Sequence, residues 1–161
     1  MNPLDSNIFI DSCAFDPKYT PEDKSAIEIF NLHENITVKL DLMIAHSTCK
    51  EIEHPNSPLW VKQRAMRLSY TIEVSLEPQE RQRLHEIELI LAGNGKIENI
   101  KEDAKHIFEC QKYGSYFITT DERIISKRNK LKKFSIIIYK PSEFLNIVKT
   151  EMAKKVHSTQ R

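Results

Sequence analysis

Asp11, Glu51, Asp103 and Asp121 are the residues of this chain whose types and positions are best suited to chemistry. Asp11 directly follows the apolar run NIFI, and Asp121 directly follows the run YFITT. Glu51 and Asp103 each fall in the predicted first turn of a helix. Ligands of open α/β sheets bind at the carboxyl ends of the parallel strands, and the predicted elements bring all four acids to that edge. The sequence therefore predicts a cluster of carboxylates from four separated segments.

Such a cluster needs a partner that neutralises its charge. Two ionised carboxylates about 5 Å apart repel each other by roughly 3 kcal/mol at an effective dielectric constant of about 20. A divalent cation removes that repulsion, and oxygen ligands without a paired His or Cys favour Mg²⁺ or Mn²⁺ over Zn²⁺. Metal ions held in this way commonly serve phosphate chemistry. The predicted cofactor is therefore Mg²⁺ or Mn²⁺.

Each acid also has a structural interpretation that the sequence leaves open. Glu51 stands three residues after Thr48, which is the spacing of a capping box at a helix N-terminus. Asp103 would complement the positive end of a helix dipole, and Asp121 would cap the helix that follows it. Asp11 is the strongest of the four, because a carboxylate that ends a central strand has little structural purpose.

The elements that must position these acids alternate between strands and helices. Strands are predicted at Asn7–Ile10, 36–44, 116–120 and 134–139, and helices from Pro21, from Ser47 or Thr48, from Pro58, over 77–92, 100–113 and 122–129, and from Pro141. Residues 70–76 alternate too briefly to distinguish a strand from an extended link. The predicted fold class is α/β: a three-layer α/β/α sandwich with a mainly parallel central sheet of four to five strands.

Length, charge distribution and cysteine content limit the number of domains, the partners and the location that we expect. The 161 residues suit one domain, predicted over 1–150 with a helical elaboration at 55–95, followed by a C-terminal tail at 151–161. Residues 1–120 hold 13 basic and 19 acidic side chains, whereas residues 121–161 hold 11 basic and 4 acidic ones. A basic segment beside an acidic body is able to bind polyanions, although a solvated helix face has the same composition. The three cysteines form no CxxC pair and no apolar run is long enough to span a membrane, so we expect a cytoplasmic protein.

Three sequence segments resemble the PIN domain, a ribonuclease fold found in many prokaryotic toxin–antitoxin toxins. They are NIFIDS around Asp11, STCKEIEH around Glu51, and EDAKHIFECQKYGSYFITTDERI, which carries Asp103 and Asp121. The ending KPSEFLNIV is similar to the last helix of that family. Residues 55–95 match no family pattern, and Cys13 stands where the family often has Asn, Ser or Thr.

The resemblance implies a divalent-metal endoribonuclease in which activated water hydrolyses an RNA phosphodiester. Asp11, Asp103 and Asp121 would bind the metal, and Glu51 would complete the catalytic set. Ser12 or Thr120 would hold a water molecule. The RNA backbone would contact the basic segment after the last acid, at residues Arg123, Lys127, Arg128 and Lys130. The expected partners are RNA, an antitoxin protein and a second copy of the chain, with no membrane.

Other interpretations of the same residues differ in what they predict. A PIN-like module that has lost catalysis would instead bind RNA or a protein partner. Zinc at His46, Cys49 and His54 is disfavoured because structural zinc sites need four regularly spaced ligands. Cys13 is expected to be a small buried side chain rather than a nucleophile. His106, one helical turn after Asp103, is expected at the helix surface or its edge.

Overall fold

The computed structural model describes residues 1–38 and 40–159, and its centre is a five-stranded sheet in which all the pairs are parallel. The strands are β1 (Asn7–Ile10), β2 (Asp41–Ile44), β3 (Ser69–Tyr70), β4 (Tyr116–Ile118) and β5 (Ile137–Tyr139). Their spatial order is β3-β2-β1-β4-β5, which makes β1 the central strand. The predicted α/β class and parallel sheet are confirmed.

Eight α-helices connect and cover these strands within the described ranges. They are α1 (Glu22–Glu34), α2 (His46–Ile52), α3 (Leu59–Ala65), α4 (Pro78–Ala92), α5 (Lys101–Tyr113), α6 (Glu122–Ile125), α7 (Arg128–Leu131) and α8 (Pro141–Thr159). Among the residues that the structure describes, none of the helices combines the length and apolar character that crossing a bilayer requires.

Two apolar clusters hold the layers together, one on each face of the sheet. Ile8 and Ile10 of β1 point into a cluster that includes Phe30 of α1 and Phe144 of α8. Phe9, between them in the strand, points into a second cluster with residues of α4 and α5. Successive side chains of a strand face opposite sides, so a strand that is apolar at every position must be covered on both faces. This is the three-layer sandwich expected from the uninterrupted apolar runs.

The second strand is shorter than its alternating pattern predicts. It covers only Asp41–Ile44, and Ile36 is fully exposed to solvent. The side chain of Asn35, which follows α1, accepts hydrogen bonds from the backbone N–H and the hydroxyl of Thr37. A turn built on an Asn side chain competes with strand geometry. This turn contains residues 36 and 37, which are the first two residues of the predicted strand.

Other boundaries also differ from the sequence prediction. The fourth strand ends at Ile118, two residues before the predicted end. Residues 71–77 belong to no strand, although the backbone N–H of Thr71 still donates to the carbonyl of Ile44 in β2. The helix predicted at 122–129 is two short helices, because the hydroxyl of Ser126 bonds to the carbonyl of Arg123 near the end of the first one. The last helix continues across residue 150 to Thr159, and Met152 packs against the core.

Candidate metal centre

The carboxyl ends of β1 and β4 form the point of the sheet where the chain changes direction. From β1 the chain builds β2 and β3 on one side, and it then returns to build β4 and β5 on the other. The backbone N–H of Asp11 donates to the carbonyl of Ile118, 2.9 Å away, so the residue that follows β1 is still paired to β4. Open α/β folds bind their ligands at such a switch point.

Asp11 is buried at this point, and its carboxylate is surrounded by donors. Oδ1 accepts a hydrogen bond from the backbone N–H of Ser12 at 2.9 Å. Oδ2 accepts one from the Thr119 hydroxyl at 2.7 Å and one from the Cys13 thiol at 3.2 Å. Burial alone would raise the pKa of Asp11, but His106, Thr119 and Cys13 together hold that pKa below its ordinary value. Asp11 is therefore an ionised carboxylate inside the protein.

Thr119 connects two of the acids and was not identified from the sequence. Its fully buried hydroxyl donates to Asp11 and accepts the backbone N–H of Asp121 at 3.1 Å. The predicted supporting residue Thr120 instead donates its hydroxyl to the carbonyl of Cys13 at 3.2 Å. Thr119 and Thr120 both follow β4, and successive side chains of a strand point to opposite sides. This alternation is the sequence signal that could have identified Thr119 as the inward residue.

Glu51 approaches the same place from α2. This helix begins at His46 after Ala45, so Glu51 lies in its last turn, and the capping box with Thr48 does not form. Instead, Oε2 of Glu51 accepts a hydrogen bond from the hydroxyl of Ser12 at 2.7 Å. The side chain of Glu51 is 38% exposed, so this carboxylate connects the buried centre to solvent.

His106 completes the buried part of the site, and the prediction that it lies at a helix surface or edge is wrong. Its side chain is 1% exposed. Nδ1 lies 3.4 Å from Oδ1 of Asp11, and Nε2 lies 3.6 Å from Oε1 of Glu51. Neither nitrogen has a hydrogen-bond partner among the described residues. The signal in the sequence is its spacing from Asp103, because residues three apart share one helix face.

The neighbouring carboxylates set the pKa of His106. Burial lowers this pKa, but the carboxylates, Asp11 foremost, raise it by more than burial lowers it, so the pKa lies above its ordinary value. One ligand atom from each of Asp11, Glu51 and His106 lies within 4.8 Å of the other two. These three residues are called the buried triad below.

Asp103 and Asp121 form the outer part of the acid cluster, and Arg123 joins them. Nη2 of Arg123 lies 3.0 Å from Oδ2 of Asp103 and 2.6 Å from Oδ2 of Asp121. Asp121 also caps α6, since its Oδ1 accepts the backbone N–H of Arg123 at 2.8 Å. Desolvation, with the charges of Asp11 and Asp121, raises the pKa of Asp103 to about 6 despite the attraction of Arg123. The capping interpretation of Asp121 and its place in the cluster are both correct.

The basic segment does not form one continuous surface. Arg123 contacts the acids, whereas Arg128 contacts both carboxylate oxygens of Glu143, at 3.0 and 2.9 Å. The ammonium group of Lys127 lies beside Gly93 at the end of α4, where a cation suits the helix dipole. Lys130 is exposed. Among the described residues, Lys130 is therefore the one predicted RNA contact that has neither a carboxylate nor a helix end assigned beside it.

A cavity beside α2 is separate from the acids. It measures about 580 Å³ and lies between α2, α3 and β3, where it is lined by residues that include Cys49, Met66 and Tyr70. None of the four acids lines it. His46, which also lines this cavity, pairs with Glu73 rather than with a second histidine.

No model of a known protein family matches the chain, and a search of the curated proteins finds no match. The resemblance to PIN domains therefore stays a prediction, carried by the sequence segments quoted above.

The donor atoms of the buried triad fit a divalent cation. Two carboxylates and one imidazole supply oxygen and nitrogen ligands, and neither imidazole nitrogen makes a hydrogen bond to the described residues. The carboxylates favour the protonated imidazole, so a cation that binds a ring nitrogen would displace a proton. Buried polar atoms are normally hydrogen-bonded, so two orphaned nitrogens between two carboxylates need an explanation. A mixed oxygen and nitrogen set accepts Mn²⁺ readily, whereas Mg²⁺ prefers oxygen ligands alone.

Proposed function

We propose that this protein is a divalent-metal-dependent endoribonuclease, with Mn²⁺ or Mg²⁺ held by Asp11, Glu51 and His106. The observation that carries the proposal is the buried triad, in which orphaned histidine nitrogens face two carboxylates at the switch point of the sheet. Asp103 and Asp121 lie beside it and extend the negative surface toward solvent.

The side chains at the site favour water as the nucleophile. Cys13 is an exposed residue and not the buried one expected, but desolvation of its thiol and the charge of Asp11 raise the pKa of this potential nucleophile to about 12. A thiol with that pKa is protonated at neutral pH, and it is the thiolate that attacks. The Ser12 hydroxyl donates a hydrogen bond to the Glu51 carboxylate, and none of its hydrogen bonds to the described residues is to a histidine base as in a serine hydrolase.

The remaining residues hold the carboxylates in fixed positions. Thr119 and the backbone of Ser12 orient Asp11, and the Ser12 hydroxyl orients Glu51. Preorganised ligands of this kind cost little rearrangement when a charged ligand arrives. When bound, a divalent cation supplies Lewis-acid activation of water and neutralises charge on the phosphoryl oxygens.

The choice of RNA as the substrate follows from the PIN resemblance and the basic segment. Lys130 and the neighbouring lysines would contact phosphates rather than bases, which positions a nucleic acid without selecting a sequence. We also infer a cytoplasmic location, since all three cysteines are free. The antitoxin partner and the homodimer stay predictions.

Metal binding tests the site before any RNA substrate is known. Calorimetric titration with Mn²⁺ would compare the parent protein with Asp11→Asn and Glu51→Gln. The matched control is Glu53→Gln, an exposed acid two residues from Glu51. We expect binding in the parent and in the control, and strongly weakened binding in both site variants.

RNA cleavage then tests the reaction. Incubation with a pool of RNAs of varied sequence should yield products with 5′-phosphate ends, and only with added metal. Activity that survives both Asp11→Asn and Glu51→Gln in that assay would contradict the assignment of the site.

One observation favours a second function, a PIN-like module without catalysis. Arg123 already contacts both Asp103 and Asp121 and offsets part of their negative charge, so these acids have a cationic partner without a metal ion. This function predicts that the folded parent protein binds no Mn²⁺ near millimolar concentration, and it directs the search to a protein or RNA ligand instead.

A further inference from the structure

The acid cluster consists of two parts with different cationic partners. The inner part is the buried triad, in which His106 faces Asp11 and Glu51. The outer part is Asp103 and Asp121, which share the guanidinium group of Arg123. Catalytic sites with two metal ions place them about 3.5–4 Å apart, bridged by acids. In this chain an arginine already contacts the acids of the outer part.

The contacts of Arg123 are more specific than those of an ordinary surface ion pair. Nε lies 3.1 Å from both carboxylate oxygens of Asp121, and Nη2 contacts both Asp121 and Asp103. A planar guanidinium matches carboxylates in this forked manner, which a lysine ammonium does not. The two acids come from different helices, and the side chain of each is only 18% exposed.

The position of Arg123 is fixed by the backbone as well as by the side chain. Its N–H donates to the same Asp121 carboxylate that its guanidinium contacts, so α6 begins with both interactions in place. Nη1 has no hydrogen bond to the described residues, and the side chain is 60% exposed. The two N–H donors of Nη1 therefore have no acceptor among the described residues, and a guanidinium keeps its charge at any physiological pH.

We propose that the chain binds one divalent cation, in the buried triad, and that the Arg123 guanidinium replaces a second cation between Asp103 and Asp121. This inference rests on the proposed function and specifies how its site is charged. The N–H donors of Nη1 would then bind a phosphate oxygen of the substrate, a role that the second metal ion has in two-metal sites.

The number of bound metal ions tests this inference directly. Calorimetry or electron paramagnetic resonance would count Mn²⁺ per chain in the parent, in Arg123→Met and in Arg123→Lys. The matched control is Arg67→Met, because Arg67 also pairs with a carboxylate, that of Glu34, and is 66% exposed. We expect one ion in the parent and in the control, and two ions in Arg123→Met, whose outer acids lack a cation. Arg123→Lys keeps a positive charge there and should return to one.

The outcomes separate this inference from the function on which it rests. Two ions bound with similar affinity in the parent, or one ion in a folded Arg123→Met, would overturn the role of Arg123 and leave the metal centre intact. No binding by the folded parent would contradict the proposed function itself. If Arg123→Met does not fold, Arg123→Gln removes the charge while keeping hydrogen-bond donors, and the same counts apply to it.

Discussion

Replacing Asp103 with Asn is expected to stabilise the metal-free protein at neutral pH. Burial, with the nearby charges of Asp11 and Asp121, raises the pKa of this carboxyl from 3.8 to about 6, although Arg123 attracts it. The ionised carboxylate is therefore less favourable in the folded chain than in the unfolded one. An amide has nearly the same shape and carries no charge, so it removes this cost.

The size and the pH range of the effect follow from the two pKa values of Asp103. The rise from 3.8 to about 6 corresponds to roughly 3 kcal/mol, at about 1.4 kcal/mol for each pH unit. Because the folded state has the higher pKa, the cost is fully present above about pH 6. It is lost as the pH falls toward the unfolded value, where both states bind the proton.

Urea unfolding in the presence of a chelator measures this difference. At about pH 7.5 we expect Asp103→Asn to exceed the parent by roughly 1–3 kcal/mol in free energy of unfolding, and at about pH 4 we expect no difference. Glu102→Gln, at an exposed neighbouring position, should stay within about 0.5 kcal/mol of the parent. An Asp103→Asn protein that is less stable than the parent at the higher pH would refute the reasoning, because the Arg123 contact would then outweigh burial and repulsion.

Two further substitutions test the packing and hydrogen bonds behind the site. Thr119→Val leaves the buried Asp11 carboxylate without its 2.7 Å donor, and should lower the free energy of unfolding by roughly 1–3 kcal/mol, while Thr119→Ser retains most of it. Gly114→Ala places a Cβ 2.7 Å from the ring of Phe9 and should cost about 2 kcal/mol or more in the same urea assay. Gly95→Ala meets nothing closer than 3.1 Å and should cost less, so equal losses at both glycines would contradict the packing argument.

The sequence predicted the elements whose signals are local and uninterrupted. The run Asn7–Ile10 forms β1 as predicted, and the helix predicted at 100–113 ends at Tyr113, before Gly114. The pattern at 36–44 failed because alternation measures only which residues are apolar. It does not detect the Asn35 side chain, whose hydrogen bonds to Thr37 turn the chain before the strand begins.

The sequence also predicted that the acids share one edge of the sheet, since that follows from strand order and the position of each acid after its strand. It did not predict His106, because a histidine on an amphipathic helix is ambiguous until the packing of the helix is known. Its helix places this side chain against Asp11 and not at the surface. Glu51 was assigned to a first turn, whereas the actual start of α2 at His46 moves it to the last one.

The contacts of Arg123 show why composition alone does not decide what a basic segment binds. Six basic residues between positions 123 and 133 indicate a surface for polyanions only if their charges are free. The structure pairs Arg123 with two acids and Arg128 with Glu143, so both guanidinium groups compensate charge within the protein. The same contacts divide the cluster, because Arg123 contacts Asp103 and Asp121, whereas His106 lies beside Asp11 and Glu51. Asp11 and Glu51 have a histidine beside them instead, and for this reason the proposed function assigns the metal ion to the buried triad and not to Asp103 and Asp121.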